Sequence, residues 1–109
     1  MTIEFTCKDL TLSAEDKELM TRRVLFALSR FQARIRRINI RLIDDNGPKG
    51  GVDKKCTMEA ILHRGGSIMA EDSSERIYGA AAMAADRLAR RIDRELKNRR
   101  AFDRELASA

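Results

Sequence analysis

Along this chain the spacing between apolar residues switches repeatedly between two and three-to-four, and that switching fixes most of what it can fold into. Ile3 and Phe5 alternate with Thr2, Glu4 and Thr6, as in a half-buried strand. Met20, Val24, Ala27, Leu28, Phe31 and Ile35 then recur at helical spacing, which predicts a helix from about Ser13 to about Ala33. Ser13-Ala14-Glu15-Asp16 resembles a capping box for its start, with Asp16 in place of Glu or Gln. The period returns to two at Ile38, Ile40 and Leu42, and again at Cys56, Met58, Ala60 and Leu62. Between those strands Asp44-Asp45-Asn46-Gly47-Pro48-Lys49-Gly50-Gly51 reads as a turn or loop. Gly65-Gly66 reads as a tight turn into a short strand through Ile68 and Ala70. Asp72-Ser73-Ser74-Glu75 is the expected cap of a second helix reaching about Arg99, with Ile77, Ala81, Ala84, Ala85, Leu88, Ile92 and Leu96 as its buried stripe. The order is β-α-β-β-β-α, an α+β fold with two helices on one face of a four-stranded sheet.

At 109 residues the chain supports one core. Residues 1–100 are expected to form a single domain, and 101–109 a frayed tail without core pattern. With 43 % hydrophobic and 36 % charged residues it is too apolar for a disordered chain and too polar for a membrane protein. No apolar run approaches the ~20 residues of a membrane span. The first residues also lack the basic and apolar regions of a signal peptide, so a cytoplasmic protein is expected.

The net charge of +5 is unevenly distributed. Residues 17–41 carry +7 and residues 76–100 carry +5, whereas residues 1–16 and 42–75 carry −3 each. Arg outnumbers Lys in both basic blocks, and its planar fork suits phosphate, so the pattern points to a polyanion such as RNA. On the first helix Arg23, Arg30 and Arg34 line up. On the second, Arg87, Arg90, Arg91, Arg94, Lys97 and Asn98 fall within about 120° of arc, away from the apolar stripe. One Tyr, four Phe and no Trp make an aromatic single-strand platform unlike this composition; recognition of a folded RNA backbone by charge and shape fits it better.

Other chemistry finds little support. Cys7 and Cys56 lack the spacing of a zinc site and form no disulfide framework. A Cys56–His63 dyad requires two residues seven apart on one strand, which therefore point to opposite sheet faces. Gly65-Gly66 lacks the continuation of a phosphate loop, and Asp44-Asp45-Asn46-Gly47 lacks the alternate spacing and closing Glu of a calcium loop. No cofactor, metal or small-molecule substrate is implied, and no enzyme is expected. Tyr78 is assigned a packing or capping role, and either Leu25 or Phe26, off the main stripe, is expected to be exposed. An alternative reading uses Ile43, Ile61 and Met69, on the sheet face away from the helices, for protein interaction or self-association.

Gly65-Gly66-Ser67-Ile68-Met69-Ala70, followed by Glu75-Arg76-Ile77-Tyr78, resembles the ribosome hibernation promoting factor and ribosome-associated inhibitor (sigma-54 modulation) family, whose members read Gly-Gly-x-Ile-x-Ala and then an acidic helix start and a Tyr in the same register. Asp86-Arg87-Leu88, Arg90 and Arg94 continue the likeness, as do Arg22-Arg23 and Phe31 on the first helix. The resemblance covers about residues 2–100. It implies a domain similar to double-stranded-RNA-binding domains that docks on the small ribosomal subunit, contacts its rRNA, fills the mRNA and tRNA path and silences idle ribosomes under stress. It further implies phosphate contacts at Arg22, Arg23, Arg87, Arg90 and Arg94. Helix geometry adds Arg30, Arg91 and Lys97. The chain departs from the family at Ala81-Ala82, where an Ile-Asp pair is common, and at Leu25 and Phe26, where members are usually charged. Its length matches the short form of the family.

Overall fold

In the computed structural model, which describes residues 1–45 and 52–108, strand β1 (Thr2–Lys8) leads into helix α1 (Ala14–Leu28) and a 3₁₀ segment (Ser29–Arg34). Strands β2 (Ile35–Asp44), β3 (Lys54–Leu62) and β4 (Ser67–Ser74) follow, and helix α2 (Ile77–Ser108) ends the chain. This is the α+β order expected from the sequence. Of the loop read at Asp44–Gly51, the stretch Asn46–Gly51 lies outside the described residues.

Among the described residues the sheet has the order β1-β2-β3-β4. β1 and β2 are parallel, which requires a crossover, and α1 supplies it; the other two pairings are antiparallel. The register aligns apolar rows across the sheet: Ile3, Ile38, Ala60 and Ile68 form one, and Phe5, Ile40, Met58 and Ala70 the next. Both helices cover this face. Met20, Val24 and Leu28 of α1 and Ala80, Ala84, Ala85, Leu88 and Ile92 of α2 are buried against it. Because side chains alternate, the opposite face receives rows such as Thr6, Arg41, Thr57 and Glu71. Its polar groups pair with one another: Thr57 donates to Glu71 at 3.1 Å, and Ser67 and Asn39 donate to Glu59 at 3.2 and 3.3 Å.

That register bears on the alternative reading of the open face. Ile61 pairs with Arg37 and Ser67, Met69 with Glu59, and Ile43 with Lys8 and Lys55. Ile43 therefore stands two rows from Met69 and three from Ile61, with charged residues between, and the three form no continuous apolar patch.

The cap of α1 is as the sequence indicates, with the Ser13 hydroxyl accepting from the Asp16 amide at 3.0 Å. Its end is not. The α-helix stops at Leu28 and the chain tightens to three residues per turn, which buries Phe31 and lets Ile35 start β2 rather than end the helix. Arg36 and Arg37 are strand residues accordingly. The start of α2 also differs. Pairing with β3 continues to Lys54–Ser74, so Asp72 and Ser73 are held in the ladder and the helix starts at Ile77. Among the described residues only the Ser74 hydroxyl reaches that end, accepting from the Arg76 amide at 3.4 Å. Finally, α2 runs past its expected end near Arg99. Ala101, Arg104, Glu105, Leu106 and Ala107 contain no breaker and continue the helix to Ser108, although these turns are exposed.

Gly65 and Gly66 link β3 to β4 with φ of +89° and +82°, and the Leu62 amide donates to Gly66 O at 2.9 Å. Arg99 on α2 closes over this turn, donating to Gly65 O at 2.8 Å. A Cβ at Gly65 would stand 2.3 Å from the Arg99 guanidinium, whereas one at Gly66 meets nothing within 4 Å. Gly65→Ala is expected to lower stability by about 1–3 kcal/mol through backbone strain and to displace Arg99 as well; Gly66→Ala carries the backbone strain alone. Chemical denaturation of both variants, and of each combined with Arg99→Ala, checks this. The two glycine variants should converge once Arg99 is removed.

Candidate nucleic-acid interface

Helix α2 presents four arginines to solvent within two turns, and β4 runs beside them. Between the two lies a groove of about 520 Å³ lined by Glu71, Arg87, Arg90, Arg91 and Arg94. Each guanidinium on its floor or rim is held differently. Arg87 lies 3.2 Å from the Asp72 carboxylate, which the strand register turns to the helix side and which also accepts from the Ser73 amide at 2.9 Å. Arg91 donates to the main-chain carbonyl of Met69. Arg90 and Arg94 have no carboxylate partner among the described residues. Arginines four apart repel on a helix surface, so Arg87 with Arg91 and Arg90 with Arg94 cost local stability that a bound anion would offset.

The other four predicted residues belong to a second group around α1. Arg23 reaches across to α2 and donates from one nitrogen to both oxygens of Asp86, at 2.6 and 2.7 Å. Arg22 pairs with Glu18 at 2.6 Å, and Lys97 pairs with Asp93 at 3.0 Å, both one helical turn apart. Lys97 and, more distantly, Arg30 and Arg100 hold the Asp93 carboxyl below its ordinary range. The Arg30 guanidinium lies 4.6 Å from the centre of the Phe31 ring. The structure thus brings Arg87, Arg90, Arg91 and Arg94 to one groove, and places Arg22 and Arg23 on α1, Arg30 on the 3₁₀ segment after it and Lys97 on α2.

Sequence reasoning misses Asp72 as the partner of Arg87 and Asp86 as that of Arg23, because the partners are remote in the chain. Only the pairs four residues apart leave a signal in the sequence. Tyr78, in the first turn of α2, is 45 % exposed and lines one pocket with Val52 and Met83. Leu25 and Phe26 are both exposed, Phe26 the more so at 80 %.

The two cysteines occupy one row of the sheet, Cys7 opposite Leu42 and Leu42 opposite Cys56. Two strand spacings of about 4.8 Å separate them, too far for a disulfide. Burial, with the charge of Asp72 on the neighbouring strand second, pushes the Cys56 thiol up to about 12. His63 lies past the end of β3, seven residues or roughly 20 Å along the chain from Cys56. A thiolate pair between them is excluded by that separation. Among the described residues no group of His, Cys, Asp and Glu is arranged to hold a metal ion, and no helix is long and apolar enough to cross a membrane.

Residues 3–100 match the family model of the sigma 54 modulation protein / S30EA ribosomal protein. The chain belongs to this family. Its fold is similar to that of the Protein Y N-terminal domain of Thermus thermophilus, with a TM-score of 0.70 at 19 % identity over 86 % of this chain and 98 % of that one. It is likewise similar to a ribosomal subunit interface protein from Coxiella burnetii, with a TM-score of 0.67 at 18 % identity over 89 % and 99 % of the two chains. Among curated proteins no relative matches. The fold and the family are those that Gly65–Ala70 and the second basic helix imply; the family is one of ribosome-associated factors.

The thiols give a direct check on the packing behind the groove. At pH 8 native protein should react with a thiol reagent at Cys7 alone, so Cys7→Ser removes the fast signal and Cys56→Ser leaves it. Because the folded state keeps Cys56 protonated up to about 12 while an unfolded thiol ionises near 9, stability should fall as pH rises above 9. That fall should be smaller in Cys56→Ser, as read by urea denaturation at pH 8 and pH 10.

Proposed function

We propose that this protein is a ribosome-associated translation inhibitor that docks on the small ribosomal subunit through its helix layer and occludes the mRNA and tRNA path. The observation that carries the reading is the groove in which Arg87, Arg90, Arg91 and Arg94 converge beside β4. Family membership supplies the ribosome, and the groove supplies the chemistry for holding its RNA. Arg90 and Arg94, in no ion pair among the described residues, take phosphate oxygens directly, while Glu71 in the same groove is engaged by Lys55 and Thr57. Arg87 and Arg91 are held at the groove by Asp72 and the Met69 carbonyl, and add charge with little loss of side-chain freedom. Arg22, Arg23, Arg30 and Lys97 extend the contact over the helix pair. Such contacts fix position rather than read sequence, which is what blocking a path requires. No bond is made or broken, and inhibition is steric; the protein acts in the cytoplasm, where its ribosomes are.

Co-sedimentation with purified small subunits tests the reading. Binding should fall by roughly 0.7–0.9 log units per log unit of salt for each phosphate neutralised, and mRNA with tRNA should displace the protein. Binding that ignores the competitors would move the site away from the decoding path. Arg90→Glu with Arg94→Glu is the cleanest variant, since neither arginine supports another element. It should keep its circular dichroism and lose at least about 100-fold in affinity, the equivalent of two charge-assisted hydrogen bonds. Unchanged affinity in that variant would overturn the assignment of the groove.

A further inference from the structure

Phe26 is the most exposed large apolar side chain among the described residues. It stands four residues after Arg22 and three after Arg23, so two cations of α1 lie one turn before it on the same side of the helix. The Arg23 guanidinium lies 5.5 Å from the ring centre. That guanidinium is itself fixed from the second helix by both oxygens of Asp86, and only 23 % of the Arg23 side chain is exposed. One side of the ring is thereby backed by an anchored cation, and the rest of it is open to solvent.

We infer that Phe26 is a stacking platform for an unpaired base of the bound RNA, backed by Arg23 and with Arg22 one turn before it. The inference rests on the proposed RNA-binding function and adds a base contact to its phosphate contacts. A flat ring surrounded by positive charge fits a flat base carried on a phosphate backbone: every base has a π-face, and stacking on an aromatic side chain is tolerant of sequence. A second copy of the chain is the poorer occupant. Leu19, seven residues earlier and 52 % exposed, is the other exposed large apolar side chain on that side of α1, Leu25 being turned about 100° away from Phe26. Two side chains fall far short of the ~800 Å² per partner of a stable interface, and two copies would bring Arg22 and Arg23 against themselves. Asp86 acts through Arg23 and is a positioning residue.

Small-subunit binding by Phe26→Ala, Phe26→Leu and Phe26→Trp tests the inference. Loss of one stacked base should weaken binding by about 5- to 150-fold in the Ala and Leu variants, and Trp should restore it. The natural sequence has no Trp, so emission of the Phe26→Trp variant reports on this position alone. It should be quenched by a 12-nucleotide oligouridylate at low salt and not by inorganic polyphosphate, which offers phosphates without bases. Wild-type affinity in Phe26→Ala overturns the inference, as does full binding by Phe26→Leu, which would reveal plain apolar contact. Sedimentation showing a wild-type dimer that Phe26→Ala dissolves overturns it in favour of self-association. If Arg90→Glu with Arg94→Glu loses binding while Phe26→Ala keeps it, the base contact fails and the proposed function stands. If wild-type protein binds no small subunits, the function itself fails.

Discussion

Everything that gives this protein a working surface depends on how closely α2 lies on the sheet. Ala80, Ala81, Ala84 and Ala85 form its first buried turns, at no more than 2 % exposure each, before Leu88, Ile92 and Leu96 take over. Small side chains bring the helix axis near the strands, where larger ones would hold it off. That closeness lets three arginines reach the sheet and its turn: Arg87 reaches Asp72, Arg91 reaches the Met69 carbonyl, and Arg99 reaches Gly65. A bulkier residue at Ala84 or Ala85 would alter the core and lift these side chains from their partners in the same step.

The basic surface is built with carboxylates inside it rather than kept free of them. Asp72, Asp86, Asp93 and Glu18 each take one cation out of the mutual repulsion of their neighbours. All of these pairs are at least partly exposed, so each contributes little to stability on its own. Their effect is on placement, since a guanidinium tied at one side chain's length stays near one position while still offering donors to a ligand. The groove therefore combines two tethered arginines with two untethered ones, and the pair on α1 and α2 through Arg23 and Asp86 joins the two helices at the level of Phe26.

Much of the fold was legible because burial in a two-layer protein imposes period two on strands and period 3.6 on helices. Ile38, Ile40 and Leu42 could only belong to a strand with one covered face, and Leu88, Ile92 and Leu96 only to a helix. The boundaries were less legible, since they are settled by competition between elements. Asp72 and Ser73 have the composition of a helix cap but are held by Cys56 and Lys55 across the ladder. Phe31 fits a helical stripe, yet the need to begin β2 at Ile35 tightens the chain around it. Of the candidate site, the basic residues could be found from helical geometry alone. Their sorting into tethered and untethered groups could not, because Asp72 lies 15 positions before Arg87 and Asp86 lies 63 after Arg23.

The contact from Arg91 to Met69 also makes the two borders of the sheet unequal. β4 is the outermost strand on its side, and a backbone acceptor there is occupied by a side chain from the helix layer, with further arginines alongside. An extended segment from another molecule would meet a filled acceptor and a row of desolvation-averse cations. β1, the opposite border, pairs with β2 alone and carries no such guard among the described residues. Any growth of the sheet by strand addition, whether with a peptide or in an aggregate, would therefore begin at β1 and leave the arginine-lined border untouched.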